Sequence, residues 1–560
     1  MKNKIYLLLV MFLVFGCADL EEQVFDEVQV DDIGELLDDP SPEFLDNLVA
    51  AVYAELIPNF TERNFFNLQE SASDISMTPT RFRTDGTTSD WFDGGRYVSL
   101  HTHAWTATDP PDVANVWMML QGGIAAALEV LDAFDTPAAL DNPAIAPRRA
   151  EVQGMLVFYM WAIFDLYGQI PYIDLATGEN TVLTGTAAVD EMVSLLEAAM
   201  PALRGKDDAK SGQLFSQGAA QALMARIYLN KAVYQDRYAG TYDFSSADMT
   251  KVIEISDDLI NNGGYTLAND FFRLFDGDSD NNSASDELIL VANCEAGLTC
   301  NRAFTAMVMS QAQFAGDAGS FRGWNGFCTL PEFVDSWDTA DPRYFEENYP
   351  NEAGTLDPAD YELNRGIQVG VQYGPVPVDA DGVTPTEGGT FKRDGDGKLI
   401  IEELKNFLRD NQTVDYSKEV TLTSNQWSGA RVFKYEYDTP GPGRWDTNIN
   451  PVLLRLADVY LMRAEAKMRN GDAGGALADV NELRAARGAA MLSSIDMDGL
   501  LAERGFEFYW ESHRRTDLIR FGKFGDAWTE KPASEPFRRL YPIPVNALAA
   551  SAKLVQNMGY

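Results

Sequence analysis

The chain has 560 residues, far above the size at which burying a core limits stability, and its 46% hydrophobic and 11% aromatic content is that of a folded globule rather than a disordered chain. Its 44 basic and 85 acidic residues leave a net charge of −41, a surface that repels phosphate backbones and speaks against nucleic acid as a partner. No G-x-S-x-G elbow, Walker A loop, H-E-x-x-H or G-x-G-x-x-G motif is present, and in so acidic a chain carboxylate pairs arise by chance, so no enzyme activity is expected.

Lys2 and Lys4 precede an apolar run from Ile5 to Phe15 and then Gly16-Cys17. The run is shorter than the roughly 20 apolar residues that span a bilayer, so residues 1–16 read as a cleaved secretory signal. Cys17 is the expected lipid acceptor, with cleavage nearby and no lipid as the alternative; residues 17–40, acidic and without periodicity, read as a tether.

Residues 41–263 are expected to be helical, with aromatic loops near their start. Pro42 to Leu56 is the first helix candidate, and Phe60 to Asp109 reads as loop-rich, its polar residues interrupted by Trp91, Phe92, Tyr97 and Trp105. From Asp112, Trp117, Leu120, Ile124, Leu128 and Leu131 share a helical face. Ala150 to Tyr167 is so apolar that it must be central, and Glu151, Gln153 and Asp165 make it a buried helix rather than a membrane span. Val189 to Leu203, Phe215 to Val233 and Met249 to Asn262 continue the helical pattern. His101 and His103 would share one face of a strand, either as metal ligands or as a polar pair.

The character changes over residues 264–450, where the period is short and irregular and strands are expected at Leu288 to Ala292, Gln368 to Tyr373, Val420 to Leu422 and Arg431 to Tyr437. Cys294 and Cys300 are close enough to bridge in a turn, which would leave Cys328 as a buried thiol. No cofactor is expected, and calcium is the one metal with a motif. Aligned on a calcium loop with Gly397 at its sixth place, Asp394, Asp396 and Glu403 fall on ligand positions, but Lys392 stands where the first carboxylate belongs, and a D-G turn between two strands explains the same residues.

Residues 451–560 open as a helix pair, PVLLRLADVYLMRAEAKMRNGDAGGALADVNELRAARG, with small Ala457, Ala464 and Ala466 where two helices would touch and Asn470-Gly471-Asp472 as the turn. LLAERGFEFYWESHRRTDLIRFGKF and a closing LYPIPVNALAASAKLVQNMGY follow. Glu507, Phe508, Glu511, Arg514, Asp517, Leu518, Arg520 and Gly522, then Tyr541 to Pro544 and Asn557 to Tyr560, resemble the E-F-x-x-E-x-x-R-x-x-D-L-x-R-x-G and Y-P-I-P…N-x-G-Y motifs of the SusD/RagB family of outer-membrane glycan-capturing lipoproteins. Trp324 to Phe327, Pro331 to Phe333 and Asp341 to Arg343 are similar to the family's pattern in the insertion, so the resemblance covers nearly the whole mature chain.

The resemblance implies a mainly α fold, a TPR-like solenoid of helical hairpins carrying a loop-rich, short-strand subdomain. It implies a lipid-anchored protein on the outer face of the outer membrane, as Asp19, Glu21 and Glu22 after Cys17 also suggest by their likeness to an export tag. The implied role is capture of an oligo- or polysaccharide for a SusC-like TonB-dependent transporter, the alternative being a docking or lid protein for that transporter with a peptide or other nutrient as cargo. Saccharides need flat aromatic faces for their CH surfaces and planar polar groups for their hydroxyls. Trp91 beside Asp90 and Asp93, and Trp324 beside Arg322 and Asn325, offer both in loops and are the expected ligand-binding residues; the competing reading makes each Trp a core anchor. Trp117, Trp161 and Trp510 lie on apolar faces and are expected in the core.

Overall fold

The computed structural model describes Leu37 and residues 40–560 apart from internal stretches, the longest being 277–284, 295–307, 314–322 and 437–446. The expected signal, Cys17, Cys300 and Arg322 lie outside the described residues.

Among the described residues the principal helices before the insertion are α1 (Pro42–Ala54), α2 (Arg63–Gln69), α3 (Arg96–His101), α4 (Asp112–Phe134), α5 (Ile145–Tyr167), α6 (Gly185–Ala199), α7 (Gln217–Gln235) and α8 (Ser246–Asn262). After it come α9 (Leu456–Arg469), α10 (Ala473–Ala486), α11 (Met497–Phe508) and α12 (Arg514–Arg520). Several start where a side-chain oxygen can take an orphan amide: Ser41, Ser216, Ser245, Asp472 and Asp496 accept from Phe44, Ala219, Asp248, Gly475 and Gly499, each cap contributing about 1 kcal/mol.

The long helices stack in sequence, α4 on α5, α5 on α6, α6 on α7 and α7 on α8; α8 then packs on α9 and α9 on α10, so the solenoid resumes across the insertion as though nothing separated its halves. The fold is mainly α and TPR-like, as expected. From Ala150 to Tyr167 every residue of α5 is buried, and Gly154 sits under the ring of Phe215, where a Cβ would lie 2.2 Å from that ring. The 23 residues of α4 are long and apolar enough to cross a membrane, but the face bearing Val116, Leu120, Ala127 and Leu131 is spent inside the protein.

The insertion departs from expectation in detail. Leu288–Val291 is a strand, paired antiparallel with Val452–Arg455 at the mouth of α9. Gln368 to Tyr373 is not one strand: Arg365–Gln368, Gly370–Val371 and Tyr373–Pro375 are separate strands that share no partner. Val420 to Leu422 is not a strand either; the neighbouring Thr423–Asn425 pairs in parallel with Thr80–Phe82, a long-range partner that local pattern cannot announce. The last candidate shrinks to Arg431–Phe433. Phe60 to Asp109 holds α2 and α3, and His101 and His103 lie at the end of α3, not on a strand. Both imidazoles are buried and bonded, His101 Nε2 to Thr529 O (2.9 Å), His103 to Ser534 Oγ and Ala72 O (2.9 and 3.0 Å), and burial lowers both pKa values.

The C-terminal signature is two helices rather than one. Trp510 and Ser512 adopt left-handed backbone (φ 63° and 64°), breaking the chain between α11 and α12. Arg514 and Asp517 do not pair with each other: Arg514 binds Asp74, and Asp517 takes Arg504 and Arg520. The break aims Glu507 and Glu511 into a buried ionic network. Arg343, Arg455, Arg484, Arg487 and Lys434 there face Asp341, Glu287, Glu503, Glu507 and Glu511, cation for carboxylate. The three arginines on Glu507 outweigh its burial and hold its carboxyl well below the usual range. Phe508 is buried, with the Arg455 guanidinium 4.4 Å from its ring centre.

Candidate functional site

Trp91 follows the strand Ser89–Asp90 and Trp324 opens the loop that runs to Phe327, and the fold brings them together. The indole Nε1 of Trp91 donates to the carbonyl of Trp324 at 2.9 Å, and the two rings lie 6.5 Å apart, tilted by 45°. Phe327 meets Trp91 edge-on at 5.7 Å and Tyr97 closes the cluster at 5.5 Å. Gly326 lies against the Trp91 ring, where a Cβ would come within 2.2 Å of it, so no side chain fits there. Both Trp rings remain half-buried, neither core nor free, and Phe92 beside them is 55% exposed.

Trp91, Asp93 and Asn325 have positive φ (63°, 39° and 57°), a conformation costing a residue with a Cβ about 1–2 kcal/mol, and three such residues converge here. The surrounding contacts hold that strain in place. Asp90 is half-buried and paired with Arg409, and Asp93 is exposed at the rim. Asn325 departs from expectation: it is 5% exposed, its Nδ2 donates to Gln426 O (3.0 Å) and its Oδ1 accepts from Arg431 (2.8 Å), so its amide is committed to the protein. Phe92 is among the loop aromatics the sequence offers beside Trp91, whereas Arg81, Arg409 and Arg431 carry no such signal and join the site only through long-range pairing. Trp117, Trp161 and Trp510 are buried, as expected.

The calcium alignment gives way to the turn. Asp394 Oδ1 accepts the amides of Asp396 and Lys398 (2.9 Å each), Gly397 takes φ 85°, and Lys392 pairs with Glu402. Glu403 is bonded by Thr413, and among the described residues no group of three or more His, Cys, Asp or Glu is placed to hold a metal ion. Cys294 is disulfide-bonded and Cys328 is a buried free thiol; Cys300, the partner the spacing offers, is outside the described residues.

The Trp pair forms a surface platform. Two clefts elsewhere, about 780 Å³ beside α1 and about 350 Å³ between α11 and Phe333, are lined by other side chains.

The SusD family model matches residues 286–560. The starch-binding protein SusD of Bacteroides thetaiotaomicron is 27% identical over 439 residues, 74% of this chain and 73% of the relative. Among solved structures, a SusD-like protein from Bacteroides fragilis superposes with a TM-score of 0.64 at 19% identity, over 93% of this chain and 97% of the other. Surface glycan-binding protein A from Bacteroides thetaiotaomicron, in complex with laminarihexaose, gives 0.63 at 19% identity, over 92% and 99%. By that match residues 286–560 belong to the SusD family, and the fold they share with its solved members runs along nearly the whole length of the chain.

Proposed function

We propose that the chain is a cell-surface binding protein that holds an oligo- or polysaccharide on the Trp91/Trp324 platform and passes it to a SusC-like TonB-dependent transporter, from an outer-membrane position secured by lipid on Cys17. Its role is binding without chemistry. The observation that carries the reading is the meeting of two half-buried indoles from loops 233 residues apart, one bonded to the other's backbone and both supported by a buried aromatic cluster. Names of relatives agree with it: one binds starch, and one of the solved structures holds laminarihexaose.

An open platform buries little area, so the affinity is expected between about micromolar and millimolar, roughly −8 to −4 kcal/mol. One ring then carries a large share: Trp91→Ala should remove about 2 kcal/mol, some thirtyfold in affinity. Titration of wild type and variant with laminarihexaose, maltohexaose and a xylogluco-oligosaccharide, with a circular dichroism melt as control, tests it. Equal affinities move the site elsewhere, and a collapsed melt makes Trp91 a core residue. For the anchor, Cys17→Ala is expected to release the folded protein from membranes lacking the transporter.

A further inference from the structure

The platform stands on two buried arginines. Arg81, in the strand Thr80–Phe82, is 1% exposed; its Nε and Nη2 donate to Gly326 O (3.0 and 2.7 Å) and its Nη1 to Asn425 O (3.1 Å) and Ser428 O (2.9 Å). Arg431, 0% exposed, donates through Nη2 to Asn325 Oδ1 and Gln426 O (2.8 Å each) and through Nη1 to Ser428 O (3.0 Å) and Gly429 O. Its Nε has no partner. The two guanidiniums share the Ser428 carbonyl, the buried Cys328 thiol lies beside both, and Arg431 stacks on the Tyr416 ring at 4.5 Å; among the described residues neither is paired with a carboxylate. Burial first, and the neighbouring Arg431 second, push Arg81 down to about 9, which leaves it charged at neutral pH.

Carbonyl dipoles solvate a cation without cancelling its charge, and a buried charge lacking a counter-ion projects its field through the low-dielectric layer above it. That layer is thin here. Arg81 holds the carbonyl of Gly326, whose Cα lies against the Trp91 ring, and Arg431 holds Asn325, the neighbour of Trp324. Among the described residues at the rim, Asp90 is offset by Arg409 and Arg96 by Asp112, while Asp93 is an exposed carboxylate. Two buried cations thus underlie the platform in a chain of net charge −41. At physiological salt the screening length is about 8 Å, so distant surface carboxylates are muted while buried charges beneath a ligand are not.

Building on the glycan-platform reading, we infer that this site selects acidic glycans: saccharides bearing uronate carboxylates or sulfate esters, with an anionic group seated beside the Trp91 and Trp324 rings. Calorimetry with two matched pairs tests it, hexagalacturonate against its full methyl ester and sulfated laminarihexaose against laminarihexaose. In at least one pair the anionic member is expected to bind tenfold tighter or more, and which pair responds distinguishes carboxylate from sulfate. Ser428→Asp sets a counter-charge beside the carbonyl both arginines share. It should bring the preference close to parity while raising the melting temperature, with Ser428→Asn keeping the preference; a purely structural role for the arginines predicts no change in preference. Neutral members binding as tightly as anionic ones in both pairs, or a Ser428→Asp variant that keeps the preference, overturns the inference. If Ser428→Asp fails to fold, the wild-type pairs still decide. Binding of only neutral sugars, maltohexaose included, sinks the acidic-glycan inference alone, whereas no binding of any of these saccharides sinks the platform reading itself.

Discussion

Two sets of arginines are buried around the insertion, and they are treated in opposite ways. Under α11, Arg343, Arg455, Arg484 and Arg487 with Lys434 meet an equal set of carboxylates centred on Glu507. Beneath the Trp platform, Arg81 and Arg431 meet carbonyl and amide oxygens, the Cys328 thiol and the Tyr416 ring, and among the described residues no carboxylate. In the first set the attraction is closed on itself, and what it specifies is position: strand Val452–Arg455, the loop at Asp341 to Arg343 and the end of α11 can dock in only one register. In the second the field is left open toward the surface. The same residue type serves architecture where it is neutralised and, in the acidic-glycan proposal, recognition where it is not.

The sharpest way to break the comparison is Glu507→Ala. It takes one carboxylate from each of Arg343, Arg455 and Arg487 and leaves the buried network with an excess cation, and should cost about 3–5 kcal/mol or prevent folding, read by urea denaturation. Phe508→Ala, which removes a buried ring packed under Arg455, is expected to cost about 3–5 kcal/mol without altering glycan affinity; lost binding at an unchanged melting temperature would reassign that ring to the ligand.

A pH series sharpens the contrast. Glu465, bound by Arg520 and Arg469, is held down to about 2 despite its burial. A depressed carboxylate contributes stability above its unfolded pKa near 4.5 and loses it as pH falls toward about 2, here roughly 3 kcal/mol in total. Glu465→Gln should therefore flatten that part of the acid-unfolding curve. The smallest effect is expected at the open pair: Arg431→Met leaves Asn325 and Gln426 short of a donor, costing about 1–3 kcal/mol, but relieves an uncompensated charge. A loss as large as that from Glu507→Ala would show the two sets to be energetically alike.

Much of the helical architecture was legible because its signals are local. Ser216 before an Ala-rich run and Asp472 after Gly471 mark helix starts by chemistry that reaches only three residues. The fully apolar α5 could only be central. The break at Trp510 and Ser512 was not legible, since neither residue type announces left-handed backbone; it is imposed by what Glu507 and Glu511 must reach. Likewise the pairing of Thr80–Phe82 with Thr423–Asn425 joins segments too far apart for any periodicity to show. At the site, Trp91 and Trp324 stood out because aromatics in polar loops are unusual. Asn325 was misjudged as a ligand group because sequence gives side-chain chemistry but not direction, and Arg431 had already claimed it.

The packing of α8 on α9 sets an order of events in the life of the chain. Synthesis proceeds from the N-terminus, so Met249, Val252 and Leu259 exist long before Leu456 to Arg469 arrive to complete the stack. Until then that end of the solenoid lacks its neighbour, and the whole insertion must loop out and return with its ends together before the last hairpin can dock. The folding of this protein is therefore gated by its final hundred residues, and a holding factor acting on the unfinished chain would find its footing on the bare face of α8.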